Sequence, residues 1–235
     1  MTTKKKGLFL IPYAGGSRYS LRYISDNIDK NIEVINLELP GRGNRSDQEL
    51  LQDIESMVED LFTQIISRLN TFDEYYLFGH SLGALLCYLV SIKVIKNKIM
   101  TPSHIFISGR KAPSAKEGKK KLHLLPEKEF RKKLMEIGGC PKEVIENVDL
   151  MKFYEPILRA DIKAAENYNF QKTKPLKVPI TTFYGSDEDI TLEEVELWQS
   201  ETTMGFEKFE FSGDHFFLQE HFPKLCQIIN IRILK

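Results

Sequence analysis

Six short apolar runs, residues 7–11, 32–37, 75–79, 104–108, 180–184 and 206–211, recur along the chain, each bounded by Gly, Pro, Asn or Asp. Runs of this length between turn-forming residues read as buried strands. Between most of them lie stretches with apolar residues three and four apart. In residues 50–69 the positions Leu50, Ile54, Met57, Val58, Leu61, Ile65 and Leu69 share one helical face, and 82–94 and 217–233 read similarly. Strands that alternate with helices are joined by crossovers, and crossovers set strands parallel with helices covering both faces. The pattern therefore predicts an α/β architecture with a mostly parallel sheet.

One segment breaks the alternation. Residues 112–177 hold no strand pattern but three helical stretches, near 126–137, 141–147 and 150–168. The whole chain reads as one domain, 1–235, with 112–177 as a helical insertion within it. A helical insertion after a strand is placed to lie as a lid over the carboxyl ends of the sheet, where open α/β folds bind ligands.

Composition narrows the function classes. The chain is 42% hydrophobic with 15 Phe and 9 Tyr, enough apolar surface for a substantial core, which excludes a disordered chain. The 33 basic and 33 acidic residues cancel, which removes the overall attraction that a general nucleic-acid binder uses. No apolar run approaches the ~20 residues of a membrane span, and the lysines at 4–6 lead into only a short apolar stretch, so a cytoplasmic protein is expected. Cys87, Cys140 and Cys226 are odd in number and form no CxxC pair, pointing to neither a disulfide framework nor a cysteine metal site.

The chemistry is carried by Gly79-His80-Ser81-Leu82-Gly83, a G-x-S-x-G between a strand and a helix. A serine on so tight a turn needs neighbours without side chains, and the setting is that of a nucleophile elbow. A serine hydroxyl needs a base to take its proton and a third group to orient that base. His215, in Ser212-Gly213-Asp214-His215-Phe216 after the last strand, is the base. His80 lies inside the elbow and is expected to pack or hydrogen-bond locally, while His104, His123 and His221 fall in a strand, the insertion and the terminal helix. The chain order Ser, acid, His puts the acid after the strand ending at Tyr184, where Asp187, Glu188 and Asp189 crowd together. The oxyanion donors expected are the N–H groups of Leu82 and of Ala14, the latter in the loop Pro12-Tyr13-Ala14-Gly15-Gly16-Ser17. That loop has neither nucleotide-binding spacing, G-x-x-x-x-G-K-[ST] or G-x-G-x-x-G.

On these residues the chain resembles the type II thioesterases, α/β hydrolases that accompany nonribosomal peptide and polyketide synthetases and clear stalled acyl groups from carrier domains. The resemblance runs almost end to end: the 12–17 loop, Leu39-Pro40-Gly41-Arg42-Gly43-Asn44-Arg45, the elbow, Ser108-Gly109-Arg110-Lys111-Ala112-Pro113, Leu125-Pro126, Gly138-Gly139-Cys140-Pro141, Pro156-Ile157-Leu158-Arg159-Ala160-Asp161, Trp198, and Gly213-Asp214-His215-Phe216-Phe217. The Pro-Gly-Arg-Gly-x-Arg and Leu-Arg-Ala-Asp runs are its most specific parts. Cys140 stands where the family more often has Thr, and Asp214 where it usually has Gly. The family's spacing to the tryptophan selects Asp187, eleven residues before Trp198, whereas its spacing to the loop glycine selects Glu188, three after Gly185. Asp187 is favoured, with Asp189 and then Glu188 as alternatives.

The resemblance implies the α/β-hydrolase fold and a serine thioesterase acting on the phosphopantetheine thioester of carrier proteins. It implies no metal or dissociable cofactor, the phosphopantetheine arm being the partner's, and a monomer that binds neither nucleic acid nor membrane. An acyltransferase, a cyclase or a general carboxylesterase would use the same triad, and a carrier-binding module without chemistry is the reading from another class. Phe130, Leu134, Met135, Phe153 and Tyr154 are expected to line an acyl channel or to bury the insertion against the core. From Arg110 to Lys133 ten basic residues face three acidic ones, a net +7 in a neutral chain and a candidate docking surface for an acidic carrier domain.

Overall fold

A computed structural model describes residues 4–115, 121–140 and 142–235. Its sheet comprises β1 (Lys6–Ile11), β2 (Ile32–Asn36), β3 (Glu74–His80), β4 (His104–Ser108), β5 (Ile180–Gly185) and β6 (Phe206–Phe211). The order is β2-β1-β3-β4-β5-β6 and every pairing is parallel. All six expected strands are present, with ends shifted by at most a residue. The inner strands β3, β4 and β5 are buried almost throughout, whereas β2 and β6, at the edges, mix buried with half-exposed and exposed positions. This is the pattern of a sheet covered on both faces.

Helices cover the two faces separately. On one side α2 (Ile54–Leu69) and α3 (Leu82–Lys96) bury Met57, Leu61, Ile65, Leu85 and Val90 against Phe9, Leu77 and Ile105. On the other, α1 (Arg22–Ser25) and the C-terminal α8 (Leu218–Leu234) bury Ile24, Leu225 and Ile229 against Leu8, Phe78 and Phe106. α2 begins at Ile54 rather than at residue 50 because Asp53 caps it, its carboxylate accepting the Ser56 N–H at 2.7 Å. Leu50 instead covers Gly41 in the preceding loop.

Between β4 and β5 the insertion forms α4 (Glu127–Ile137), α5 (Lys142–Glu146) and α6 (Val148–Asn167). It has a small apolar cluster of its own, built on Phe130, Leu134, Ile145 and Met151. A short α7 (Leu192–Glu196), closed by a capping box from Thr191 and Glu194, follows β5 and was not legible as a separate helix. Among the described residues no helix is long and apolar enough to cross a membrane.

β1 pairs with β2 on one side and β3 on the other, so the chain reverses its winding between β1 and β3. At such a switch point the loops after the two strands diverge and leave a crevice at their carboxyl ends. The 12–17 loop leaves β1 there, and Ser81 follows β3.

Candidate active site

Ser81 stands between β3 and α3 with φ 55° and ψ −113°, a conformation that L residues rarely adopt. Its N–H donates to the Ser108 carbonyl at 2.8 Å, and its carbonyl accepts from Ala84 and Leu85. The turn is possible only with glycine on both sides. A Cβ on Gly79 would lie 2.1 Å from the Gly83 carbonyl oxygen, and one on Gly83 would lie 2.1 Å from that of Ile11. Both obstacles are backbone, which has no rotamer to move away. Leu82 is the first residue of α3, so its N–H is one of the helix's unpaired donors and sits at the positive end of the helix dipole.

His215 comes from the loop after β6. Its Nδ1 lies 2.6 Å from Oε1 of Glu188, whose side chain is 1% exposed, and Oε2 of the same carboxylate accepts the Gly185 N–H at 2.7 Å. That arrangement leaves Nε2 as the ring nitrogen available to a hydroxyl. The acid in contact with His215 is thus Glu188, not Asp187 or Asp189. Asp187 is exposed, and its carboxylate takes the Ser186 hydroxyl at 3.0 Å instead. The reason is local. The turn is anchored at Gly185, where a Cβ would meet the Gly213 and Asp214 carbonyls at 2.5 and 2.6 Å, so position is counted from the strand end. Trp198 lies in a separate helical turn beyond α7, where an added or missing residue does not move the acid. Its indole acts elsewhere, Nε1 donating to the Arg110 carbonyl at 2.9 Å and holding the loop after β4 beside the elbow.

The other histidines are engaged locally. His80 is fully buried, with Nδ1 3.0 Å from the Ser108 hydroxyl and its ring beside that of His215, centroids 4.8 Å apart. Burial, reinforced by the neighbouring His215, pushes its imidazole well below the ordinary value, so it remains neutral. His104 meets the Thr181 hydroxyl, His123 the Glu166 carboxylate, and His221 Ser212. Cys87 and Cys226 are buried free thiols, while Cys140 is half-buried at the site.

Two hollows meet at Ser81, Ile137 and His215. One, of about 350 Å³, runs under the insertion and is mainly apolar, with Leu134, Cys140, Tyr154, Leu158 and Phe216 among its walls. The other, of about 410 Å³, is bordered by Arg110, Lys111, Asp187, Asp189 and Asp214. Of the expected channel residues, Leu134 and Tyr154 line the apolar hollow. The other three do not: Phe130 is buried inside the insertion's own cluster, and Phe153 and Met135 are 58% and 43% exposed. The helical periodicity of 126–137 and 150–168 identified apolar positions but not which side each helix turns inward. Ile137, Leu158 and Phe216 were missed as lining residues. Ala14 also borders this hollow. Of its neighbours, Gly15 N–H is taken by Asp161 and Gly16 N–H by the Tyr13 carbonyl, so Ala14 remains the loop's candidate donor. Lys119, Lys120 and Pro141 lie outside the described residues.

Comparison with known proteins agrees with this geometry. A family model described as the thioesterase domain matches residues 6–233. The gramicidin S biosynthesis protein GrsT of Aneurinibacillus migulanus is 35% identical over 217 residues, which is 92% of this chain and 84% of that one. The crystal structure of ClbQ from the colibactin pathway superposes with a TM-score of 0.91 at 31% identity, covering 97% of both chains. The type II thioesterase BorB from the borrelidin biosynthetic cluster gives 0.89 at 28% identity, over 99% of this chain and 94% of its own. With an all-parallel sheet, a strained serine after β3 and these relatives along its whole length, this chain is an α/β hydrolase that belongs to the thioesterase family, in its type II branch.

Proposed function

We propose that this thioesterase hydrolyses acyl groups from the phosphopantetheine thioester of carrier domains in nonribosomal peptide or polyketide biosynthesis. The observation that carries the reading is the Glu188–His215 pair, 2.6 Å apart, beside the elbow serine where an apolar hollow meets one bordered by charged side chains. GrsT, ClbQ and BorB, each named for such a pathway, support the choice of substrate.

In the proposed cycle Ser81 Oγ attacks the thioester carbonyl and His215 Nε2 takes the hydroxyl proton. Glu188 stabilises the imidazolium that forms and fixes its tautomer. The N–H groups of Leu82 and Ala14 receive the oxyanion, aided by the α3 dipole. Collapse breaks the C–S bond, and His215 returns the proton to the departing pantetheine thiol. Water, activated by the same imidazole, then hydrolyses the acyl-Ser81 ester. The acyl chain lies in the apolar hollow under the insertion, which acts as a lid, and the amide-rich pantetheine arm enters by the hollow bordered by charged side chains. The partner supplies that arm, and the scheme draws on no cofactor of the enzyme's own. The enzyme works as a monomer in the cytoplasm.

Mixing the protein with an acyl-loaded carrier domain and weighing both products by mass spectrometry tests this. Free acid and unloaded carrier are expected. An acyl group left on the carrier, or passed only to an added amine or alcohol, would overturn hydrolysis as the reaction.

A further inference from the structure

The reaction so far leaves unused the two most specific motifs of the sequence, and the structure joins them. Asp161 of α6 is fully buried and Arg42 of the 39–45 loop is 3% exposed. The Asp161 carboxylate accepts Nη1 of Arg42 at 2.5 Å and Nη2 at 2.8 Å, and its Oδ2 also accepts the Gly15 N–H at 2.7 Å. Arg42 further reaches the carbonyls of Pro40 and Gly16. One turn earlier on α6, Leu158 lies against Gly15, where a Cβ would come 2.4 Å from its Cδ2.

The Gly15 contact falls on a sensitive spot. Gly15 has φ +76°, and the Gly16 N–H donates to the Tyr13 carbonyl at 2.9 Å, the features of a type II turn with Gly15 third. In such a turn the soft coordinate is the central peptide, here Ala14–Gly15, which flips to exchange its N–H and its carbonyl. A carboxylate on the Gly15 N–H holds one orientation and repels the other, since a flipped peptide would aim the Ala14 carbonyl at Asp161. Holding that peptide keeps the turn closed, and the Gly16-to-Tyr13 bond of the closed turn in turn orients the Tyr13–Ala14 peptide, whose N–H is the proposed oxyanion donor.

We infer that Asp161, held by Arg42, is a positioning residue that sets the 12–17 loop so that Ala14 N–H faces the oxyanion. Because Asp161 rides on α6, the oxyanion site is complete only while α6 is seated. The inference rests on the proposed thioesterase reading. Failure of that reading shows as absent wild-type turnover, and failure of this inference as undiminished turnover in the variants.

The test measures kcat and KM on a small acyl-cysteamine thioester, with thermal unfolding alongside. A buried ion pair replaced on both sides by apolar groups of similar size commonly leaves a fold stable, so Arg42→Met with Asp161→Leu removes the contact without leaving a lone charge. Arg45→Met with Asp60→Leu is the control, since this bidentate pair takes its arginine from the same motif, and its partner from α2, without a hydrogen bond to the 12–17 loop. The expected result is a fall in kcat of at least tenfold for the first pair with KM changed less than threefold, and kcat within threefold for the control. Equal losses in both pairs, an unchanged kcat in the first, or a rise in KM that accounts for its whole effect would overturn the inference. Should the first pair not fold, Asp161→Ala, which leaves no acceptor for the Gly15 N–H, decides: a tenfold lower kcat at unchanged KM supports the inference, and a kcat within threefold of wild type overturns it.

Discussion

The Nδ1 of His215 lies 2.6 Å from Oε1 of Glu188, and the same carboxylate is tied through its other oxygen to the N–H of Gly185 at the end of β5. The imidazole is thereby linked to β5, an inner strand of the sheet, and its orientation follows that of the strand end.

Glu188→Gln is expected to lower kcat by orders of magnitude, up to the ~10⁴-fold seen when a triad carboxylate becomes an amide. Asp187→Asn is expected to change it less than threefold, since that side chain is engaged with Ser186. Steady-state turnover of an acyl-cysteamine thioester separates the two, and the reverse ranking would return the role to Asp187.

The acid shows where the sequence was legible and where it was not. The strand pattern, the elbow and His215 are written in local residue types: apolar runs, paired glycines, a histidine after the last strand. Glu188 was within the candidate trio, but choosing among neighbours depends on which way a turn faces, and that is set by the Gly213 and Asp214 carbonyls crossing Gly185 from 28 and 29 residues away. The same limit governed the insertion. Periodicity marked Phe130, Leu134 and Met135 as equally apolar, whereas only tertiary packing leaves Leu134 at the edge of the cluster lining the site, Phe130 buried within the cluster and Met135 exposed. The Arg42–Asp161 pair, 119 residues apart, was visible as two motifs but not as one contact.

Gly79→Ala and Gly83→Ala are each expected to destabilise by ~3 kcal/mol or more, because the added methyl meets backbone at 2.1 Å and the strain cannot be relieved by a side-chain rotation. Gly205→Ala is a control, with nothing within 4 Å of its Cβ. Chemical unfolding midpoints check the difference, and equal midpoints for Gly83→Ala and Gly205→Ala would contradict the steric account of the elbow.

Acid should weaken the fold through His104. Burial lowers this imidazole from 6.5 to about 4, with the stacked Phe106 ring and the Thr181 hydroxyl against it and the Glu207 and Arg232 charges acting in opposite directions. Between these values the folded chain binds fewer protons than the unfolded one. The stabilising effect is therefore complete above about pH 6.5 and is lost as pH falls towards 4, by up to ~3 kcal/mol. Neutral, buried His80 acts in the same direction. His104→Gln is expected to flatten the slope of unfolding free energy against pH over this interval, and an unaltered slope would contradict the assignment.

The basic segment from Arg110 to Lys133 is expected to steer an acidic carrier domain. Reversing Lys119, Lys120 and Lys121 to Glu should raise KM for an acyl-carrier substrate, the more so at low salt, yet leave hydrolysis of a small acyl-cysteamine thioester unchanged. Equal effects on both substrates, or on neither, would leave these lysines as ordinary surface charge.

The central claim is that Ser81 is the nucleophile of a thioester hydrolase, and its most direct test is turnover of an acyl-carrier thioester by Ser81→Ala, with circular dichroism recorded on the same sample. The hydroxyl carries little packing, so the fold is expected to persist while hydrolysis and labelling by a fluorophosphonate probe both disappear. More than a few per cent of wild-type turnover with an unchanged spectrum would contradict the account.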